Sequence, residues 1–326
     1  MDTLAAYITA LGPAERIEVR PLPVPALGPT DVLVRTEALA VDQVDTLVRS
    51  GAYRTPTPFP FIVGRDMVGV VAAAGPGAAG FSEGDRVWCN SLGHGGRQGS
   101  FARHVVVAAD RLYHLPDGVD PVRAVAVLHT AGTACLGLFR EARLRPGDTV
   151  VVGGAAGGVG SAVVQLAAAS GGHVIATAAA GDAGWCWASG AEQVFDYRDR
   201  DLPARLGDAV PPRGADVYWD TSGHQDLAAI APLLAIGARV IVTAAPDPAI
   251  TLPARHYYTH DIGVRSFAIS NAAVTDLAAA ARIINSRLAD DTLRPRIGVR
   301  LPLTAAAEAH RRQEAGHAGG RIIVLP

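Results

Sequence analysis

The chain reads as an α/β protein, a β-rich domain joined to a doubly wound parallel sheet covered by helices. Three observations predict this. Short apolar runs separated by Gly and Pro turns fill the N-terminal third, and from Pro121 onward strand and helix patterns alternate. Within the second regime lies one glycine-rich junction, residues 153–160, with the order strand, turn, helix. At 326 residues the chain exceeds what one hydrophobic core usually supports, so two domains of roughly 150 residues each are expected.

In the first region Val32–Thr36, Val68–Val71, Arg86–Trp88 and Phe101–Val107 read as short strands, which suggests a barrel-like domain. An Ala/Leu-rich helix is predicted from Val122 to about Glu141. The parallel-sheet strands follow at Val150–Val152, His173–Thr177, Gln193–Asp196, Val217–Asp220 and Arg239–Thr243. Near Asp261 a last segment begins, with a helix over Val274–Leu288 and a strand at Arg321–Leu325. This segment is assigned back to the first domain, which gives residues 1–121 with 262–326, and 122–261.

The junction carries the chemistry. An apolar run, Thr149-Val-Val-Val152, stops in Gly153-Gly-Ala-Ala-Gly-Gly-Val-Gly160 and leads into a helix. A dinucleotide pyrophosphate can lie against such a helix N-terminus, where unpaired N–H groups and the positive end of the dipole face it. The three fingerprint positions G-x-G-x-x-G fall at Ala155, Gly157 and Gly160, so the first glycine is an alanine. Gly157 lets the pyrophosphate approach and Gly160 lets helix pack on strand, while Gly154 and Gly158 keep the turn permissive. A second strand after Gly171-Gly172 completes a βαβ unit of about 30 residues.

Composition narrows the classes. Hydrophobic residues make up 49% and charged residues 18%, with a net charge of −2, so there is no electrostatic footprint for nucleic acid. Residues 149–181 lack any Asp, Glu, Lys or Arg, yet paired glycines break the stretch into strand, helix and strand rather than a membrane span. Cys89, Cys135 and Cys186 are too few and scattered for a disulfide framework, and no export signal is apparent. A reduced, cytoplasmic protein is expected.

With these residues in hand the chain resembles the zinc-independent medium-chain dehydrogenases/reductases, and within them the quinone oxidoreductase (zeta-crystallin-like) branch. The landmarks run in order: Val41-Asp-Gln-Val-Asp-Thr46, Arg49-Ser-Gly-Ala-Tyr53, Phe61-Ile-Val-Gly-Arg-Asp-Met-Val-Gly69, Gly84-Asp-Arg-Val87, Gly99-Ser-Phe-Ala102, the glycine turn, Gly190-Ala191, Asp220-Thr-Ser-Gly223 and Gly320-Arg-Ile-Ile-Val324. The resemblance implies a discontinuous GroES-like catalytic domain with a Rossmann domain inserted in it, a nicotinamide in the cleft between them, and hydride transfer. It also implies a homodimer. The zinc ligands of related alcohol dehydrogenases are missing: Asp42 stands at the position of the zinc cysteine, and Arg65-Asp66 replace a His-Glu pair.

Zinc-free branches reduce small molecules that spread the hydride's charge onto a distant oxygen, such as quinones and α,β-unsaturated carbonyls. Tyr53 matches the tyrosine implicated as proton donor in related enoyl-thioester reductases; it could instead pack in a turn near Pro56 and Pro58. A second tyrosine of quinone reductases falls at Leu47. NADPH is expected, because Thr177-Ala178 ends without the acid that would bind a ribose 2′-OH. The lysine common nearby is also missing, which leaves Arg198 or Arg200, next to Tyr197, to meet a 2′-phosphate, with Asp182 close in sequence.

The resemblance further implies cofactor contacts at Asp42, Thr133, Gly154, Ala155, Ala156, Gly157, Gly158, Val159, Gly160, Thr177, Ala178, Tyr197, Arg198, Ser222, Ala244, Phe267 and Ile269; for the last two, core packing is an equal alternative. His94 and Arg97, in a glycine-rich stretch, suit either a substrate loop or an exposed hairpin. His256 and His260 share helical spacing but lack further ligands, so no metal is expected. The expected activity is NADPH-dependent reduction of a quinone or an activated C=C bond. An enoyl-thioester or biosynthetic enone reductase, or a non-catalytic NADPH-binding protein, is the alternative.

Overall fold

A computed structural model describes residues 1–224, 226–244, 249–316 and 318–326. The chain opens with β1 (Asp2–Ile8), which pairs antiparallel with β2 (Glu18–Pro23). Pro21 and Pro23 lack the N–H of a central strand, and β2 is accordingly an edge. The long strand β3 (Asp31–Val41) leads into α1 (Gln43–Ser50), which Gly51 ends in the left-handed conformation, φ 88°. The two-residue β4 (Phe61–Ile62) adds to β1. Then come β5 (Asp66–Ala74), β6 (Arg86–Cys89), β7 (His104–Ala108) and β8 (Tyr113–His114).

The length of β3 organises this half. Asp31–Arg35 pairs with β7 on one edge, and β5 runs along the other, so a single strand holds two layers of the curled sheet. Val32, Val34, Leu39 and Val41 point into a core shared with Ile8, Met67, Val87 and Phe101.

The predicted helix over Val122–Glu141 is three pieces. Asp120 caps α2 (Pro121–Val125) by accepting from the Arg123 N–H at 2.7 Å, α3 spans Leu128–Cys135, and Leu136–Glu141 continues as a π-helical turn. In that turn the Ala142 N–H donates five residues back, to Gly137 O at 2.8 Å. A Cβ at Gly137 would sit 2.0 Å from the Trp219 ring, so the indole fixes a glycine there.

The glycine junction starts the parallel half: β9 (Thr149–Gly153), α4 (Gly158–Ala169), β10 (His173–Ala178), α5 (Ala183–Ala188), β11 (Gln193–Asp196) and α6 (Leu202–Ala209). It continues with β12 (Ala215–Asp220), α7 (Leu227–Ile230), β13 (Leu234–Val242), α8 (Ala254–Thr259) and β14 (Gly263–Ser266). All neighbours are parallel, in the order β11-β10-β9-β12-β13-β14. The strand order reverses between β9 and β12, the place where open sheets of this kind bind ligands.

The chain then forms α9 (Val274–Ala289), β15 (Ile297–Pro302), α10 (Ala306–Ala315) and β16 (Arg321–Leu325). Strand β16 lies parallel to β15 and antiparallel to the end of β3. Two compact units result, Met1–His129 with Ala273–Pro326, and Thr130–Ala272. Both boundaries lie C-terminal to those expected at 122 and 262, for two physical reasons. Helix α2 packs on β3 and β5, and β14 completes the parallel sheet beside β13.

Candidate active site

Strand β9 delivers the glycine turn at the C-terminal edge of the parallel sheet. Gly154 takes φ 65°, and the Ala155 N–H donates to Thr177 O at 3.0 Å, which ties the turn to the end of β10. Ala155 is fully buried, so the alanine at the first fingerprint position points its methyl inward. At Gly160 a Cβ would lie 2.2 Å from Gly154 O; there only glycine allows helix and turn to touch. At Gly157 a Cβ would meet nothing nearer than Gly154 O at 3.2 Å. Gly157 and Gly158 are exposed beside half-exposed Ala156 and Val159, at the N-terminus of α4. This is an open cradle of backbone donors that suits a pyrophosphate.

The strand ends nearby bring together the other expected contacts. Thr177 and Ala178 close β10, and the Tyr197 N–H donates to Ala178 O at 3.2 Å. The Arg198 guanidinium lies 4.8 Å over the exposed Tyr197 ring. After β12, Asp220 accepts from the Ser222 N–H at 2.7 Å and from its hydroxyl at 2.6 Å. Ala244 and Phe267 line a depression of about 360 Å³ with Thr243, Ser266 and Asn271 at the ends of β13 and β14. Phe267 meets Trp219 edge-on at 6.2 Å, with Arg140 5.3 Å over its ring, whereas Ile269 is buried. Thr133 is buried on α3.

Two expected residues belong to the other unit. The Tyr53 N–H donates to Leu47 O at 3.0 Å, so the turn that carries the half-buried phenol hangs from the end of α1. Asp42 is 2% exposed at the start of the same helix. Its Oδ1 accepts from Arg321 Nη2 at 2.5 Å, and its N–H donates to Asp45 Oδ2 at 2.9 Å.

Around Asp42 lies a charged cluster of the buried Asp45, Arg65, Asp66 and His129 with the mostly buried Arg321. Arg65 Nε is 4.0 Å from Asp45 Oδ1, and Asp66 Oδ2 accepts from the His129 N–H at 3.0 Å. Burial and the neighbouring Asp42 charge hold Asp66 well above its ordinary value of 3.8 and push Asp45 up to about 8. Burial raises Asp42 too, but Arg321 and His129 outweigh it and leave its pKa lowered. His129 is lowered by burial and stays neutral at pH 7. Asp45, His129 and Arg321 were not legible as site residues; the available signal is charge set within apolar frames, as in Gly320-Arg-Ile-Ile-Val324.

The remaining candidates divide. Arg97 donates to Asp31 Oδ1 at 2.9 Å, which pins the Ser91–Ser100 stretch to the start of β3, and burial with nearby Arg111 lowers the His94 pKa. His256 and His260 stack at 4.1 Å, with a His260 ring nitrogen bound to His256 O. Among the described residues the one group of three or more side chains spaced to hold a metal is Asp42, Asp66 and His129. No helix among those residues is long and apolar enough to cross a membrane. Cys89, Cys135 and Cys186 are buried, and no disulfide joins them.

Residues 28–117 match the alcohol dehydrogenase GroES-like domain, and residues 158–286 match the zinc-binding dehydrogenase domain. Over 305 residues the chain is 31% identical to the quinone oxidoreductase of Sus scrofa, a match that covers 93% of this chain and 91% of that protein. The chain belongs to the quinone oxidoreductase family of medium-chain dehydrogenases/reductases. Membership makes it an oxidoreductase with a GroES-like and a Rossmann unit, and supports a nicotinamide cofactor. Solved structures agree in fold: an NAD-dependent alcohol dehydrogenase is 30% identical with TM-score 0.88 and full coverage of both chains. A mycobacterial protein complexed with NADPH is 26% identical with TM-score 0.86, covering 99% of this chain and 100% of that one.

Proposed function

We propose that this quinone oxidoreductase family member is an NADPH-dependent, zinc-independent reductase that delivers hydride to a quinone or to the activated C=C bond of an α,β-unsaturated carbonyl. The observation that carries the cofactor choice is the end of β10. Thr177 and Ala178 place no carboxylate there, and the neighbouring β11 end offers a guanidinium, Arg198, stacked on Tyr197. A 2′-phosphate there would meet no carboxylate from β10 and one cation, with the Asp196 carboxylate of the adjoining strand engaged by the Arg198 N–H. The likeness to a structure complexed with NADPH supports this, and the equally good fold match to an NAD-dependent enzyme makes the charge at this point the deciding feature.

When bound, the cofactor supplies the hydride; the chain's own residues hold and orient it. The N-terminus of α4, from Gly158 onward, would receive the pyrophosphate, while the Gly157 N–H closes the turn onto Gly154 O. Tyr53 donates a hydrogen bond or a proton to the oxygen that gains charge on the substrate. Zinc does not fit this role. The cluster at Asp42 already contains two guanidiniums, one of them 2.5 Å from the carboxylate a metal would need, and no cysteine ligand. We read the assembly as a cytoplasmic homodimer.

The test is cofactor binding. NADPH is expected to bind at least ten-fold more tightly than NADH, and equal affinities would remove the NADPH assignment.

A further inference from the structure

Two buried carboxylate oxygens in the same cluster of the GroES-like unit lack a donor, and His129 Nδ1 is 3.9 Å from one of them, Asp66 Oδ1. Asp42 Oδ2 and Asp66 Oδ1 are both sealed from solvent and have no hydrogen-bond partner. One oxygen of each, and a ring nitrogen of His129, lie within 4.8 Å of one another. Two ionised carboxylates there would be acceptors only, each left with an unsatisfied buried oxygen, and their like charges would add to the cost. Something positive must lie between them, and the smallest candidate is a proton.

The surroundings decide which carboxyl carries it. Asp42 has Arg321 Nη2 on its other oxygen, whereas Asp66 has only the neutral His129 N–H. The charge therefore belongs on Asp42. A dication would instead enter a cluster that already holds Arg65 and Arg321.

We propose that Asp66 is a carboxylic acid that shares its proton with Asp42, and that this proton, rather than a metal ion, closes the buried cluster. The groups that face it are Asp42 and Asp45 from α1 and its cap, Arg65 from the turn before β5, Cys89 from β6, His129 from α3 and Arg321 from β16. The direction of each shift agrees: Asp66 is raised and Asp42 lowered, with a hydrogen bond from Asp66 among the causes of the latter. Burial pushes the Cys89 thiol up to about 11, so it adds no charge at neutral pH.

The pair is also a positioning device. Asp42 is the N-cap of α1, and Leu47 O of that helix holds the Tyr53 turn. Loss of the proton sets two carboxylates against each other at the base of the helix from which Tyr53 hangs. Its effect on turnover rests on the reductase reading; the proton itself does not.

Infrared difference spectra between neutral and alkaline pH separate the two. The wild type and Asp45→Asn are both expected to show the C=O band of a buried carboxylic acid that disappears at alkaline pH; Asp45→Asn removes the other raised carboxyl, and Asp66→Asn added to it is expected to abolish the band. Chelator treatment leaves the band unchanged. Asp66→Asn, whose amide N–H replaces the O–H donor, keeps its Tm at neutral pH; Asp42→Asn, which strands Arg321, loses stability at every pH. In quinone reduction the alkaline limb of kcat moves to higher pH in Asp66→Asn, with NADPH affinity unchanged. Absence of the band in Asp45→Asn overturns the proposal, as does one equivalent of tightly bound metal that Asp66→Asn loses. If Asp66→Asn fails to fold, the Asp45→Asn spectrum still decides. Absence of turnover with every acceptor, with the band intact, defeats the reductase reading alone.

Discussion

Tyr53 is the residue on which the proposed chemistry turns, and its surroundings permit two roles. The side chain packs partly on the core of the GroES-like unit, yet the turn that carries it is fixed by a backbone bond to α1 rather than by its phenol. Tyr53→Phe is expected to lower kcat by about 100-fold with NADPH affinity unchanged, as for loss of a general acid; unchanged turnover with a lower Tm would make it a packing residue. At the other unit, Arg198→Ala is expected to weaken NADPH by about ten-fold and leave NADH alone, the worth of one hydrogen bond to a charged group. Equal weakening of both cofactors would show that Arg198 supports Tyr197 rather than a phosphate. The glycines of the turn separate in the same way. Gly157→Ala makes one tight contact, 3.2 Å to Gly154 O, and is expected to lose little Tm while cofactor affinity falls, whereas Gly160→Ala meets Gly154 O at 2.2 Å and is expected to cost about 1–3 kcal/mol in thermal unfolding.

At the scale of elements, the N-terminus of α1 governs the response to pH. Asp45 has an ordinary value of 3.8 and is pushed up to about 8 in the folded chain by burial and by Asp42. A raised acid contributes its stability in full below 3.8 and loses it as pH rises to about 8. Asp66 acts in the same direction. Tm is therefore expected to fall across that window, and Asp45→Asn to flatten the fall; a Tm that climbs to alkaline pH in both proteins would place these carboxyls as ionised. The same elements show what was readable. Thr149–Gly153 and Arg321–Leu325 carry dense apolar runs and were legible as strands. Strand β14 was not, because Gly263–Ser266 is a mostly exposed edge with no alternation, and β2 was hidden by its prolines. The break within Val122–Glu141 depends on α2 packing on β3 and β5 and on Trp219 against Gly137, contacts that no periodicity announces.

For the whole molecule, the order of strands and helices around the glycine turn carried the fold, since a parallel sheet buried on both faces writes itself as uninterrupted apolar runs. The residues of the proposed cofactor edge were easy to place for a related reason: they sit at strand ends, which sequence locates well. The buried cluster was not, because Asp42 and Arg321 meet across 279 residues and only the curled sheet of β3, β5 and β16 brings them together. The central claim, a nicotinamide-dependent reductase that prefers NADPH and needs no zinc, is tested most directly by following the loss of reduced-nicotinamide absorbance. Chelator-treated protein would be given NADPH or NADH and a panel of quinones, enals, enones and enoyl-thioesters, with cofactor binding measured in parallel. The account predicts acceptor-dependent oxidation of NADPH, faster than of NADH, with a quinone or enone. Tight binding without oxidation of either cofactor, or turnover that appears only when zinc is restored, would contradict it.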